Sequence, residues 1–179
     1  MAASEKIRAL KLLIGGLEQP VARESYPCST LSLGIPKGAI VELLGPQKTE
    51  WLCHFLAENS QTNIFWVEKE QSVLPTALQQ RGVDLSRVTF GLFGDDPTIK
   101  LRRVVQSQLY PIIVAPNEFS EIRIFKAFQL LTEKSNSVLF LLGKKEPCLA
   151  WPITMQLEIH KRGNDFKIEV IKNKGGSLS

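Results

Sequence analysis

The sequence predicts an α/β protein: a mostly parallel twisted sheet with helices on both faces and an antiparallel hairpin at its C-terminal end. Three observations carry this. Five short apolar runs between Gly38 and Leu142 alternate with four helix-like segments, the order that parallel strands joined by helical crossovers require. Several runs are apolar at consecutive positions, as in strands buried on both faces. After Leu142 the alternation gives way to two longer segments joined by Arg162-Gly163-Asn164-Asp165, a hairpin-type turn.

The elements follow in order. Ser4 to Leu17 places Ile7, Leu10, Leu13, Ile14 and Leu17 at helical spacing behind a Ser4 cap, with Gly15-Gly16 weakening the end, so a short amphipathic helix is expected there. Gln19 to Lys37, broken by Pro20, Pro27, Gly34 and Pro36, reads as an irregular, extended approach. Gly38–Gly45 is a buried strand bounded by glycines. Lys48–Asn59 is a helix with Trp51, Leu52, Phe55 and Leu56 on one face. Asn63–Glu68 is a strand, Pro75–Arg81 a helix stopped by Gly82, and Val88–Leu92 a strand. Asp95-Asp96-Pro97 opens a helix to Gln108, because an acidic cap before proline suits a first turn. Ile112–Ala115, Ser120–Lys134 and Ser137–Leu142 are strand, amphipathic helix and strand. Met155–His160 and Asp165–Ile171 are the hairpin strands, and Lys174–Ser179 is a polar tail.

Composition narrows the function. The chain has 179 residues and weighs 20.0 kDa, enough for one domain, with 44% hydrophobic and 22% charged residues, which excludes a disordered chain. Apolar runs such as Val138–Gly143 are far shorter than the roughly 20 residues that cross a bilayer, so no membrane association is expected. Met1–Arg8 has no apolar core of a secretory signal. Cys28, Cys53 and Cys148 lack metal-ligand spacing and read as reduced thiols in a cytoplasmic protein. His54 and His160 have no nucleophile or acid at motif spacing, so a hydrolase triad and a metal site are both unsupported. Trp51, Trp66 and Trp151 sit in apolar contexts and read as core. The net charge of +4 permits contact with nucleic acid without arguing for it. Lys100, Arg102 and Arg103 lie on a predicted helix as a solvated face.

A phosphate site belongs at the carboxyl end of the first long strand. There Gly45-Pro46-Gln47-Lys48-Thr49 holds the first glycine and the Lys-Thr pair of G-x-x-x-x-G-K-[ST]. It is shorter by about three residues and lacks the second glycine, whose freedom lets backbone N–H groups curl around phosphate. From loop geometry alone it reads as a tight strand-to-helix turn.

Residues 29–49, STLSLGIPKGAIVELLGPQKT, resemble the entry to the core of the RecA recombinase superfamily. Phe65-Trp66-Val67-Glu68-Lys69-Glu70, then Pro75 and Gly82-Val83-Asp84, resemble the family's strand ending in acid-x-Glu followed by proline and GVD. Asn136–Leu142 resembles a later core strand, and Leu157–Arg162 with Lys167–Lys174, ending I-K-N-K, resembles the closing hairpin. The resemblance implies an N-terminal helix and lead-in at residues 1–28, a RecA-like core at 29–174 and a flexible tail at 175–179.

It also implies losses. Gly45, Lys48 and Thr49 stand as vestiges of the nucleotide loop. Pro116-Asn117 replaces the carboxylate that holds the magnesium shell. Lys144 replaces the glutamine sensor, and the two DNA-binding loops match short connections near Asn117–Ser120 and Lys144–Trp151. Glu70 matches the carboxylate that activates the attacking water, vestigial without phosphate and metal ligands. Lys172 and Lys174 match lysines that reach a neighbouring subunit's ATP, which makes them the candidate partner-binding residues. No cofactor and no catalytic residue is expected. The resemblance points to a degenerate, ATP-less member of the ImuA or SulA type. The first is an accessory of damage-induced translesion synthesis that meets the recombinase filament or polymerase components. The second is a division inhibitor that binds the tubulin-like ring protein. The I-K-N-K ending and the Gly-Pro remnant favour the first. An ATPase with an atypical loop, a weak DNA contact and a homodimer stay open as alternatives.

Overall fold

The computed structural model describes residues 24–70, 73–94 and 96–174. The helix expected over Ser4–Leu17 and the tail after Lys174 lie outside the described residues. The strands are β1 (Ser25–Tyr26), β2 (Ile35–Pro36), β3 (Ala39–Leu44), β4 (Ile64–Glu68), β5 (Val88–Leu92), β6 (Ile112–Pro116), β7 (Val138–Leu142), β8 (Met155–Arg162) and β9 (Asp165–Asn173). The helices are α1 (Lys48–Glu58), α2 (Pro75–Gln80), α3 (Pro97–Ser107) and α4 (Ile122–Ser135), with a 3-10 turn at Leu85–Arg87.

Seven strands form one sheet in the order β5-β4-β6-β7-β3-β8-β9. Every neighbouring pair is parallel except β8 and β9, which run antiparallel from Arg162↔Asp165 to Met155↔Asn173 with a bulge at Gln156/Leu157. The predicted α/β class, the mostly parallel sheet and the terminal hairpin are therefore all present. The hairpin strands run two residues further than their apolar pattern extends.

Strand side chains alternate between two cores, as a pleated sheet covered on both faces requires. Val41 and Leu43 of β3, Trp66 of β4 and Phe140 of β7 face Trp51, Leu52, Phe55 and Leu56 of α1 and Leu78 of α2. Ile40, Ile113, Leu139 and Leu141 face Leu101 and Val105 of α3 and Phe125 and Phe128 of α4. Caps explain where α3 begins and α4 ends. The Asp96 side chain accepts from the Ile99 N–H at 3.3 Å with Pro97 opening the helix, while Asn136 takes a left-handed conformation at φ 53° and ends α4.

The approach segment is not wholly irregular. Ser25 and Tyr26 pair antiparallel with Pro36 and Ile35, closed by the Lys37–Glu24 ion pair at 2.8 Å. Tyr26 is buried with Phe55, their rings edge to face at 6.3 Å, so the packed unit takes in residues before 29. Trp151 also departs from expectation: Trp51 and Trp66 are core, but Trp151 is 49% exposed. Among the described residues no helix is long and apolar enough to cross a membrane.

Candidate functional site

The carboxyl ends of β3, β4, β6 and β7 lie side by side, where open α/β sheets bind ligands. From β3 the chain turns into α1 through residues 45–47. Gly45 has φ +85°, and a side chain there would meet the backbone of Ile159 in β8: its Cβ would fall 2.9 Å from the amide nitrogen, 3.0 Å from the carbonyl carbon and nearer still to the oxygen. The Gln47 N–H donates to the Ile159 carbonyl at 3.4 Å, so the turn is laid against β8. Lys48 Nζ folds back toward the Gly45 carbonyl at 3.5 Å. Thr49 lies in the first turn of α1 and lines an open groove of about 380 Å³ with Glu50, Cys53, Leu74 and Arg81. Burial pushes the Cys53 thiol up to about 11.

A second groove, about 320 Å³, opens between β4 and β6 and is lined by Glu68, Lys69, Glu70 and Glu118. Glu70 is exposed beside it, whereas Glu68 is buried and its carboxylate accepts the Val73 N–H at 3.0 and 3.3 Å. Lys69 spans the groove to Glu118 at 3.4 Å. Among the described residues no cluster of His, Cys, Asp and Glu could hold a metal ion.

At the end of β6, Asn117 is buried and its Nδ2 donates to Glu42 Oε1 at 2.6 Å. Its Oδ1 is buried without a hydrogen-bond partner. Glu42, 1% exposed in the centre of the sheet, also accepts from the Cys148 N–H at 2.9 Å and Gln156 Nε2 at 2.7 Å. This carboxylate ties β3, β6 and β8 to the loop after β7. Its sequence signal was a lone acid inside an apolar strand.

Neither of the two C-terminal lysines lines either groove. Lys172 Nζ donates to the carbonyls of Ala150 and Trp151 at 3.2 and 3.4 Å. Burial, followed by the charge of Lys174, lowers its pKa. Lys174 is exposed and its Nζ lies 4.8 Å from the centroid of the Trp151 ring. The structure thus brings Lys172 and Lys174 together with Trp151, and it groups Gly45, Lys48 and Thr49 at one turn. Glu70 lines the second groove, which shares Val73 with the groove that Thr49 lines.

Sheet order, crossovers and closing hairpin define a RecA-like α/β core. The chain is similar to the crystal structure of the RadB recombinase, with TM-score 0.59, 15% sequence identity, and coverage of 79% of this chain and 84% of that one. At this identity the likeness establishes the fold. No family model and no curated protein sequence matches the chain.

Proposed function

We propose that the chain is a non-catalytic RecA-like accessory protein of the bacterial DNA-damage (SOS) response, an adaptor in translesion synthesis that binds the recombinase filament or polymerase partners. One observation supports a reading without nucleotide chemistry: the turn at residues 45–47 lies against the β8 backbone. A magnesium nucleotide needs N–H groups curled around its phosphates, an inward lysine and a carboxylate for the metal shell. The residues here do not fit that group. Lys48 reaches its own loop, and Asn117 has committed its donor to Glu42. Glu70 then has no phosphate or metal to work with.

Head-to-tail assemblies give each subunit two different faces. A subunit without the nucleotide face, but with the face around Lys172 and Lys174, would dock at one end of a filament. Lys174 is the outward residue of the pair, because Lys172 is turned onto its own loop. A pull-down on immobilised recombinase filament tests this with wild type, Lys174→Ala and the Lys172→Ala/Lys174→Ala double variant. Capture of wild type and its loss in the double variant is the expected result. Equal capture of all three removes the lysines from the contact, and no capture of wild type overturns the docking.

A further inference from the structure

The loop between β7 and β8 presents Leu149, 96% exposed, and Trp151, 49% exposed. Two ammonium groups lie over the Trp151 ring: Lys126 Nζ of α4 at 5.2 Å and Lys174 Nζ at 4.8 Å from the centroid. On α4, Lys126 lies one turn from Ile122 and one turn from Leu130, which are 47% and 67% exposed, so the three share one stripe. Among the described residues neither Lys126 nor Lys174 is in an ion pair.

The exposure is not that of a loose loop. Ala150 and Ile153 are buried in the α3–α4 core. Cys148 is held on both sides, its N–H by Glu42 and its carbonyl by Gln156 Nε2 at 2.7 Å. Lys172 clamps the carbonyls of Ala150 and Trp151. A fixed base therefore holds apolar side chains in water, which marks an interaction surface.

We propose that this surface docks an acidic amphipathic helix of a partner protein, whose apolar side chains cover Leu149, Trp151, Ile122 and Leu130 while two carboxylates pair with Lys126 and Lys174. An ammonium held over an indole keeps its outer side open to a carboxylate, and an exposed tryptophan beside cations is a strong anchor. Nucleic acid fits less well, because base stacking offers nothing to the exposed Leu149 and Leu130. The surface names the partner chemistry of the adaptor and rests on that reading for its protein partner. Its test uses no recombinase, so it succeeds or fails separately from the pull-down.

The probes are a labelled Leu/Ala/Glu helical peptide of about five turns, the same peptide with lysine for every glutamate, and oligothymidine. Binding to the full chain is read by anisotropy and by Trp151 fluorescence, the other two tryptophans being buried. The acidic peptide should bind and the basic one should not. Lys126→Glu/Lys174→Glu should weaken binding roughly tenfold or more, and Leu149→Ser, at a solvent-exposed position, should weaken it several-fold with an unchanged melting curve. No binding of the acidic peptide, binding unaltered in both variants, or oligothymidine bound more tightly than the peptide would each overturn the proposal.

Discussion

Replacing Gly45 by alanine probes how tightly the strand-to-helix turn is pressed against β8. At φ +85° an L-residue carries the left-handed backbone cost, about 1–2 kcal/mol. The added Cβ would also fall 2.9 Å from the Ile159 nitrogen and 3.0 Å from its carbonyl carbon. Those are backbone atoms, with Ile159 registered against Ile168 of β9, so they do not swing aside as a side-chain tip would. Overpacking of this kind costs about 1–3 kcal/mol. The two effects together make Gly45→Ala destabilising by about 2–5 kcal/mol. Equilibrium urea unfolding followed by tryptophan fluorescence reads this directly. With a slope of about 2 kcal/mol/M, the midpoint should fall by roughly 1–2.5 M with the slope unchanged. A loss below about 0.5 kcal/mol would refute the reasoning. It would mean that the turn stands off β8 and has room for a ligand.

Other outcomes follow from the buried groups. Glu42→Ala strands three donors, from Asn117, Cys148 and Gln156, and should cost at least about 3 kcal/mol in urea unfolding. It should also open the loop at residues 143–153 to proteolysis. Cys53, 2% exposed with its thiol pushed up to about 11, should resist iodoacetamide at mildly alkaline pH until the protein unfolds. Its ordinary value is 9.0, so between these two pH values the unfolded chain releases a proton that the folded chain keeps. Stability from this group is therefore complete below about pH 9 and is lost as pH rises toward about 11, which urea midpoints across that window would register.

The central strands were legible because burial on both faces leaves an apolar run with no competing pattern, as in Ala39–Leu44 and Val138–Leu142. The β1–β2 pair was not, since two-residue strands beside Pro27 and Pro36 have no room for a period. The far end of β8 passes beyond the core, so Lys161 and Arg162 continue the strand without hydrophobic signal, and in β9 the polar Lys172 and Asn173 continue the ladder opposite the buried Gln156 and Met155. Trp151 reads as core beside Ala150 and Pro152 because neighbours in sequence say nothing about the two lysines that lie over its ring from α4 and beyond β9. The shortened turn after Leu44 was visible as a missing glycine, but its contact with Ile159 comes from a strand more than a hundred residues away. The inward turn of Lys172 escaped for the same reason: its acceptors lie in a loop 21 and 22 residues earlier.

Thermal unfolding with and without magnesium ATP tests most directly whether this RecA-like core binds nucleotide. A ligand held at about 100 times its dissociation constant adds about 2.7 kcal/mol, which for a domain of this size raises the melting temperature by roughly 5–10 °C. The closed turn predicts no shift at millimolar nucleotide. A shift of that size, abolished by Lys48→Ala, would contradict it.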